Sequence, residues 1–92
     1  SKAGLNFLTR NLAFEWAKYN ITVNTIAPTF VKTGLSEKTL SDPSLRSYYL
    51  GQIPLGRFGT MSDVINAVKF LASPSSDFIT GIVLPVDGGF HL

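Results

Sequence analysis

Apolar positions from Lys2 to Tyr19 recur with a helical period, and they do so on two sides of the helix. At about 100° per residue, Leu5, Leu8, Leu12, Trp16 and Tyr19 fall on one stripe, while Ala3, Phe7 and Phe14 fall roughly opposite. Arg10, Asn11, Glu15 and Lys18 take the flanks. A surface helix needs one apolar stripe. Two stripes predict a helix covered by protein on both faces, and the chain opens at Ser1-Lys2-Ala3-Gly4 as though already inside it.

Further along, the period changes. The β-branched run Ile21–Ile26 predicts a strand, closed by Ala27-Pro28. From Thr29 to Ile53 the pattern is mixed: Gly34, Asp42-Pro43 and Gly51 interrupt two short helix-like stretches, Leu35–Leu40 and Ser44–Leu50. Pro54-Leu55-Gly56-Arg57-Phe58-Gly59 has turn chemistry, with Arg57 placed to hold its backbone. Thr60 or Ser62 caps the next helix, whose buried stripe is Val64, Val68 and Leu71 and which stops at Ser73-Pro74. Ile82–Val86 is almost wholly apolar, as a strand covered on both faces should be, and Pro85 places it near a sheet edge. Asp87-Gly88-Gly89 then turns the chain.

Helix, strand, irregular excursion, helix, strand is the rhythm of an α/β protein with a parallel sheet. Two strands more than fifty residues apart imply a crossover and parallel pairing, and two strands alone do not make a stable sheet. The remaining strands must come from elsewhere: from a preceding part of the same chain, or from other copies.

Composition narrows the function. With 45% hydrophobic residues the chain is globular in type. Eight basic and six acidic residues leave a net charge of +2, scattered without a basic run, so neither nucleic acid nor a membrane surface is an expected partner. No apolar run is long enough for a membrane span, and a cytoplasmic setting is the default expectation. There is no cysteine, and His91 is the single histidine, so no metal site is expected. A Gly-rich phosphate loop, a carboxylate pair at helical spacing and a nucleophile-elbow serine are all missing.

Six segments, in order and covering the whole chain, nevertheless resemble successive landmarks of the short-chain dehydrogenase/reductase family. They are Ser1-Lys2-Ala3-Gly4, Val23–Pro28, Pro54–Gly59, Phe70-Leu71-Ala72-Ser73, Ile79-Thr80-Gly81 and Val86-Asp87-Gly88-Gly89. The resemblance implies that residues 1–92 are the C-terminal part of one Rossmann-like, doubly wound parallel sheet, with 34–53 as a substrate-covering lid. It implies NAD or NADP as cofactor, a small carbonyl or secondary-alcohol substrate, and a homodimer or homotetramer.

In that family a catalytic helix carries Tyr-x-x-x-Lys, and Ser1-Lys2-Ala3 is similar to its end. Lys2 then takes the role of the family lysine, catalytic and cofactor-binding, with the tyrosine four positions earlier. Positions i and i+4 share a helix face, so the ammonium favours the phenolate of its neighbour and makes it a usable acid/base. The structural alternative for Lys2 is a solvated lysine at a helix start. Pro28-Thr29-Phe30-Val31-Lys32-Thr33 resembles the family's Pro-Gly-x-Val/Ile-x-Thr, which assigns cofactor binding to Pro28, Thr29, Val31 and Thr33: the backbone of Val31 to the nicotinamide carboxamide, the hydroxyl of Thr33 to the carboxamide or phosphates. Thr29 stands where the family has glycine, so the loop must accommodate a β-branched side chain. In the lid, Tyr48 and Tyr49 either meet substrate or pack against its base. Asn24 reads as a buried hydrogen-bonding residue, and Phe90 as one that lines a neighbouring subunit's site.

The resemblance is closest to dehydrogenases of sugars, sugar acids and polyols, with 3-oxoacyl-carrier-protein reductases as the runner-up. A different class stays open for the isolated 92 residues: a non-catalytic assembly fragment, rich in the family's oligomerisation surface and poor in its cofactor site.

Overall fold

Two short strands, β1 (Thr25–Pro28) and β2 (Val83–Val86), pair in parallel with Thr25 opposite Val83 and Pro28 opposite Val86. The computed structural model describes all residues 1–92. The helices are α1 (Lys2–Trp16), α2 (Gly34–Leu40), α3 (Pro43–Leu50) and α4 (Met61–Ala72), with single 3₁₀ turns at Ala17–Tyr19 and Pro74–Ser76.

Each helix boundary has a chemical cause. The Ser1 hydroxyl accepts from the Gly4 amide at the start of α1. The helix tightens into its 3₁₀ turn and stops where Asn20 takes a left-handed backbone, φ 59°, which asparagine tolerates. Thr33 and Ser36 form a capping box at α2, Asp42 caps α3 ahead of Pro43, and Thr60 with Asp63 forms a second capping box at α4. Of the two candidate caps before α4, Thr60 is the one used.

The strands lie later than the β-branched pattern predicts: β1 is Thr25–Pro28 rather than Ile21–Ile26, and β2 begins at Val83 rather than Ile82. Side-chain bonds replace ladder bonds ahead of Thr25. The Val23 amide donates to the Thr80 hydroxyl at 3.0 Å, and the Asn24 carboxamide donates to the Ile79 carbonyl at 3.0 Å and accepts from the Ile82 amide at 3.2 Å. Asn24 is thus the half-buried bridging residue the sequence predicts. Gly81, at φ +82°, turns the chain here out of extended geometry. In the ladder proper the amides of Thr25 and Thr29 bond the carbonyls of Ile82 and Val86. Even-numbered residues of β2 therefore direct their backbone groups toward β1, and Pro85, on the far side, gives up nothing by lacking an amide proton.

A helix flanks each face of the sheet. Thr9 of α1, 2% exposed, places its hydroxyl 2.7 Å from that of Thr25, and its own helix accepts through the Leu5 carbonyl at 2.8 Å. Asn24 and Ile26, on the opposite face, line a small cavity with Val68, Leu71 and Ala72 of α4. Residues one apart on a strand face opposite ways, so α1 and α4 flank opposite faces, the doubly wound arrangement.

Burial is sparse for a folded domain. The buried apolar residues are Ala13 under the sheet and a separate cluster of Leu40, Ile53 and Phe58, joined by Phe30, Tyr49 and Leu50. The radius of gyration is 15.7 Å, against about 12 Å for a compact chain of this length. Phe7 and Phe14, the second stripe of α1, are exposed to 73% and 88%.

Candidate functional site

The loop Thr29–Thr33 leaves the C-terminal end of β1, the place where open parallel sheets hold their ligands. α1 brings its N-terminus to the same end. Thr9 lies opposite Thr25, and Ala13 meets Gly81, which precedes β2. The helix therefore runs antiparallel to the strands, and Lys2, seven residues before Thr9, lies about 10 Å further toward their C-terminal ends. Lys2 is exposed, and no hydrogen bond or ion pair joins it to Thr29–Thr33.

Within the loop, the left-handed residue is not where the missing glycine would place it. Thr29 keeps an ordinary backbone; Phe30 takes φ 57°. An aromatic residue held there costs about 1–2 kcal/mol and needs its surroundings to hold it. Three contacts do so. The Gly59 amide donates to the Phe30 carbonyl at 3.0 Å, the Phe90 ring meets the Phe30 ring edge-on with centroids 5.0 Å apart, and Tyr49 tilts against it at 5.8 Å.

The next residue is pinned on one side and free on the other. Val31 forms a single parallel bridge to Gly59, through the Phe30 carbonyl and the Lys32 amide, which donates to the Gly59 carbonyl at 2.8 Å. The N–H and C=O of Val31 itself have no partner within the chain. A free donor and a free acceptor on one residue match a primary carboxamide, which offers an acceptor oxygen and N–H donors. Val31 is the residue to which the family resemblance assigns the carboxamide contact. Thr33, by contrast, has its hydroxyl committed to the cap of α2, accepting from the Ser36 amide at 3.4 Å. Pro28 ends β1 and Thr29 is half-buried in the cleft below.

Two hollows flank Phe30. One is an open cleft of about 350 Å³ reaching Thr29, Ile53, Arg57, Asp87 and His91. The other, about 230 Å³, lies under α2 and α3 and is lined mainly by Phe30, Val31, Leu40, Tyr49 and Phe58. Tyr49 thus packs at the base of the 34–53 segment, while Tyr48 stays largely exposed and touches Tyr49 edge-on.

Sequence reasoning did not anticipate the Arg57–Asp63 ion pair or the Asp87–His91 hydrogen bond at the cleft. Arg57 donates to the Phe58 carbonyl at 3.1 Å, as its loop-holding role requires, and also to Asp63 at 2.9 Å. The Arg57 hydrogen bond, helped by the Thr60 amide, holds the Asp63 carboxyl far below the usual carboxylate range. Asp87 is buried, and burial alone would raise its pKa. Bonds from the His91 ring at 3.0 Å and from the amides of Gly89 and His91 at 3.0 and 3.1 Å outweigh this and lower it. The spacing Asp87-x-x-x-His91 was the available signal. Phe90 also meets the chain's own Phe30 ring.

Comparison with known proteins agrees with this geometry. The family model described as "Enoyl-(Acyl carrier protein) reductase" matches residues 1–91. A tropinone reductase homolog, chloroplastic, of Arabidopsis thaliana is 45% identical over 92 residues, all of this chain and 29% of the relative. The 2-dehydro-3-deoxy-D-gluconate 5-dehydrogenase of Escherichia coli is 42% identical over 90 residues, 98% of this chain and 36% of the relative. Among solved structures, a protein of Agrobacterium tumefaciens with bound NADP superposes with a TM-score of 0.88 at 40% identity, over 98% of this chain and 37% of that one. A 4-hydroxyisoleucine dehydrogenase complexed with NADH gives 0.89 at 35% identity, over 97% and 37%. The chain spans about a third of the length of the relatives it matches.

Proposed function

Because the chain belongs to the short-chain dehydrogenase/reductase family and corresponds to its C-terminal portion, we propose that it forms part of an NAD- or NADP-dependent oxidoreductase. The reaction is interconversion of a secondary alcohol and a carbonyl compound. The observation that carries this reading is Val31, whose unpaired N–H and C=O stand at the C-terminal end of β1, the same end of the sheet as Lys2. When bound, the nicotinamide supplies or takes up the hydride. Val31 orients its carboxamide, Thr29 and Pro28 shape the wall beneath it, and Lys2 brings positive charge to the ribose hydroxyls and to the phenol that exchanges the substrate's proton. That phenol, and the loop that cradles the phosphates, belong to residues outside these 92. Thr33 contributes to the cofactor only if its hydroxyl can serve both the cap of α2 and the ligand.

The substrate reading is a sugar, sugar acid or polyol, supported by the name of the Escherichia coli relative. A 3-oxoacyl-carrier-protein substrate is the second reading; the description of the family model shares with it the acyl-carrier-protein group and not the reacting bond. Residues 34–53 act as the lid, closing over substrate with Tyr48 free to meet it. A cytoplasmic homodimer or homotetramer completes the proposal. Alone, the 92 residues are an assembly piece without turnover.

The test is Lys2→Ala in the full-length protein. We expect kcat to fall by about 10²- to 10⁴-fold while the melting temperature stays within a degree or two of wild type. An unchanged rate at neutral pH would remove Lys2 from the site.

A further inference from the structure

We propose that the turn Asp87–His91 is a clamp for the coenzyme loop of its own subunit, with Phe90 and Asp87 as positioning residues that act through Phe30 on Val31. The inference rests on the functional reading above and extends it to residues that reading does not use.

The case starts from what Phe30 requires. It is the aromatic residue with a left-handed backbone, and it immediately precedes the residue with the unpaired amide and carbonyl. If Phe30 relaxed to an ordinary φ, the peptide plane leading into Val31 would rotate, and both free groups would point elsewhere. Something must therefore hold the Phe30 side chain. Phe90 does so edge-on, with an interplanar angle of 89°, a geometry that favours aromatic pairs beyond their buried area.

Phe90 is itself placed by a buried carboxylate. Asp87 spends one oxygen on the Gly89 amide and the other on the His91 amide, and its own carbonyl accepts from the Phe90 amide at 3.2 Å. The His91 ring closes over the same carboxylate. These bonds wrap the turn around Asp87 and leave Phe90 projecting from it. The turn and the loop also share an origin. Val86 and Pro28 are paired, the Thr29 amide donates to the Val86 carbonyl at 3.1 Å, and so Asp87 and Thr29 depart from adjacent strand ends. A change in the turn is thereby transmitted to the loop through one ring–ring contact and one ladder bond.

The experiment uses the full-length protein and titrates NADH and NADPH in turn, following nucleotide fluorescence for binding and initial rates for turnover. For Phe90→Ala we expect the dissociation constant and the KM of the preferred nucleotide to rise about five- to tenfold, the scale of one lost aromatic pair. The kcat should change less than twofold. Phe90→Tyr keeps the edge contact and should restore wild-type binding. Phe30→Ala combined with Phe90→Ala should bind no more weakly than Phe30→Ala alone, because both remove one interaction. Asp87→Asn, which keeps one acceptor, should fall between Phe90→Ala and wild type. If Phe90→Ala does not fold, Phe90→Leu serves instead, with the same expected direction. Unchanged nucleotide binding in Phe90→Ala or Phe90→Leu overturns the clamp and leaves the functional reading intact, even if the melting temperature drops. Failure of the wild-type protein to bind either nucleotide overturns both.

Discussion

Two hydroxyls 2.7 Å apart, Thr9 and Thr25, show how much a single residue carries in a chain with so little core. Each removes a polar group from water and satisfies it against the other, which is what burial of a hydroxyl demands. Asp87 does the same for a whole turn, and its protonation has a predictable cost. Its folded pKa lies below the ordinary carboxylate value of about 3.9. Its stabilising contribution is therefore fully present above the unfolded pKa and lost as pH falls through the folded one. In thermal melts of the full-length protein, Asp87→Asn should be less stable than wild type at pH 7, and the gap should narrow below about pH 4. A gap that stays constant down to pH 3 would mean the carboxylate charge contributes nothing. Asn24 and Arg57 were also legible from the sequence, since a carboxamide inside a predicted strand and an arginine in a Pro/Gly loop both call for backbone partners. Thr9 was not. Its partner is 16 positions away, and no periodic pattern links a helix hydroxyl to a strand hydroxyl.

Elements were legible where local chemistry decides them. The capping residues and apolar stripes locate all four helices to within a few residues, because their causes lie within one turn of the boundary. The strands slipped because a β-branched run states only a preference for extended backbone; which residues join a ladder depends on the facing segment. Ile21–Asn24 faces Ile79–Gly81, where a left-handed glycine and side-chain bonds interrupt the pairing. The turn after β2 shows how tightly elements meet. A Cβ at Gly88, where φ is +62°, would come within 2.6 Å of Ile53 Cγ2, while the Gly88 carbonyl accepts from the Leu55 amide at 3.0 Å. Gly88→Ala should cost about 2–4 kcal/mol, combining left-handed strain with overpacking. Gly34→Ala, at the open first turn of α2 with nothing within 4 Å, should be neutral or slightly stabilising. Denaturant titration of both variants in the full-length protein separates the cases, and equal effects would contradict this account of the turn.

At the scale of the molecule, surface is the dominant fact. The chain exposes 6677 Å², roughly a quarter more than a compact monomer of its mass. Large apolar side chains on α1 and α4 account for much of the excess, including Leu8, Phe14, Ile65 and Val68. Doubly apolar α1 was legible because two stripes are visible in the sequence; what covers each was not, since within these residues α1 meets Thr25 and Gly81 through Thr9 and Ala13, beside the first stripe, while Phe7 and Phe14 stay exposed. With a second subunit over Phe7 and Phe14, truncating both to alanine in the full-length protein should weaken self-association by at least about 30-fold, the scale of an interface anchor. Sedimentation velocity across a concentration series reads this directly, and a wild-type monomer at every concentration would rule the assembly out. The same pair of strands that organises the fold also governs how it is reached. Asn24 bonds the amide of Ile82 across 58 positions, and within residues 1–92 the ladder partner of β1 is the distant β2. No hairpin can nucleate such a sheet. Refolding must close a long loop before the first ladder bond forms, and the entropy of that closure is spent before any contact repays it. The parallel pair should thus form late and slowly, after the locally capped helices, and until it forms the edge of β1 that β2 occupies stays open to strands of other molecules.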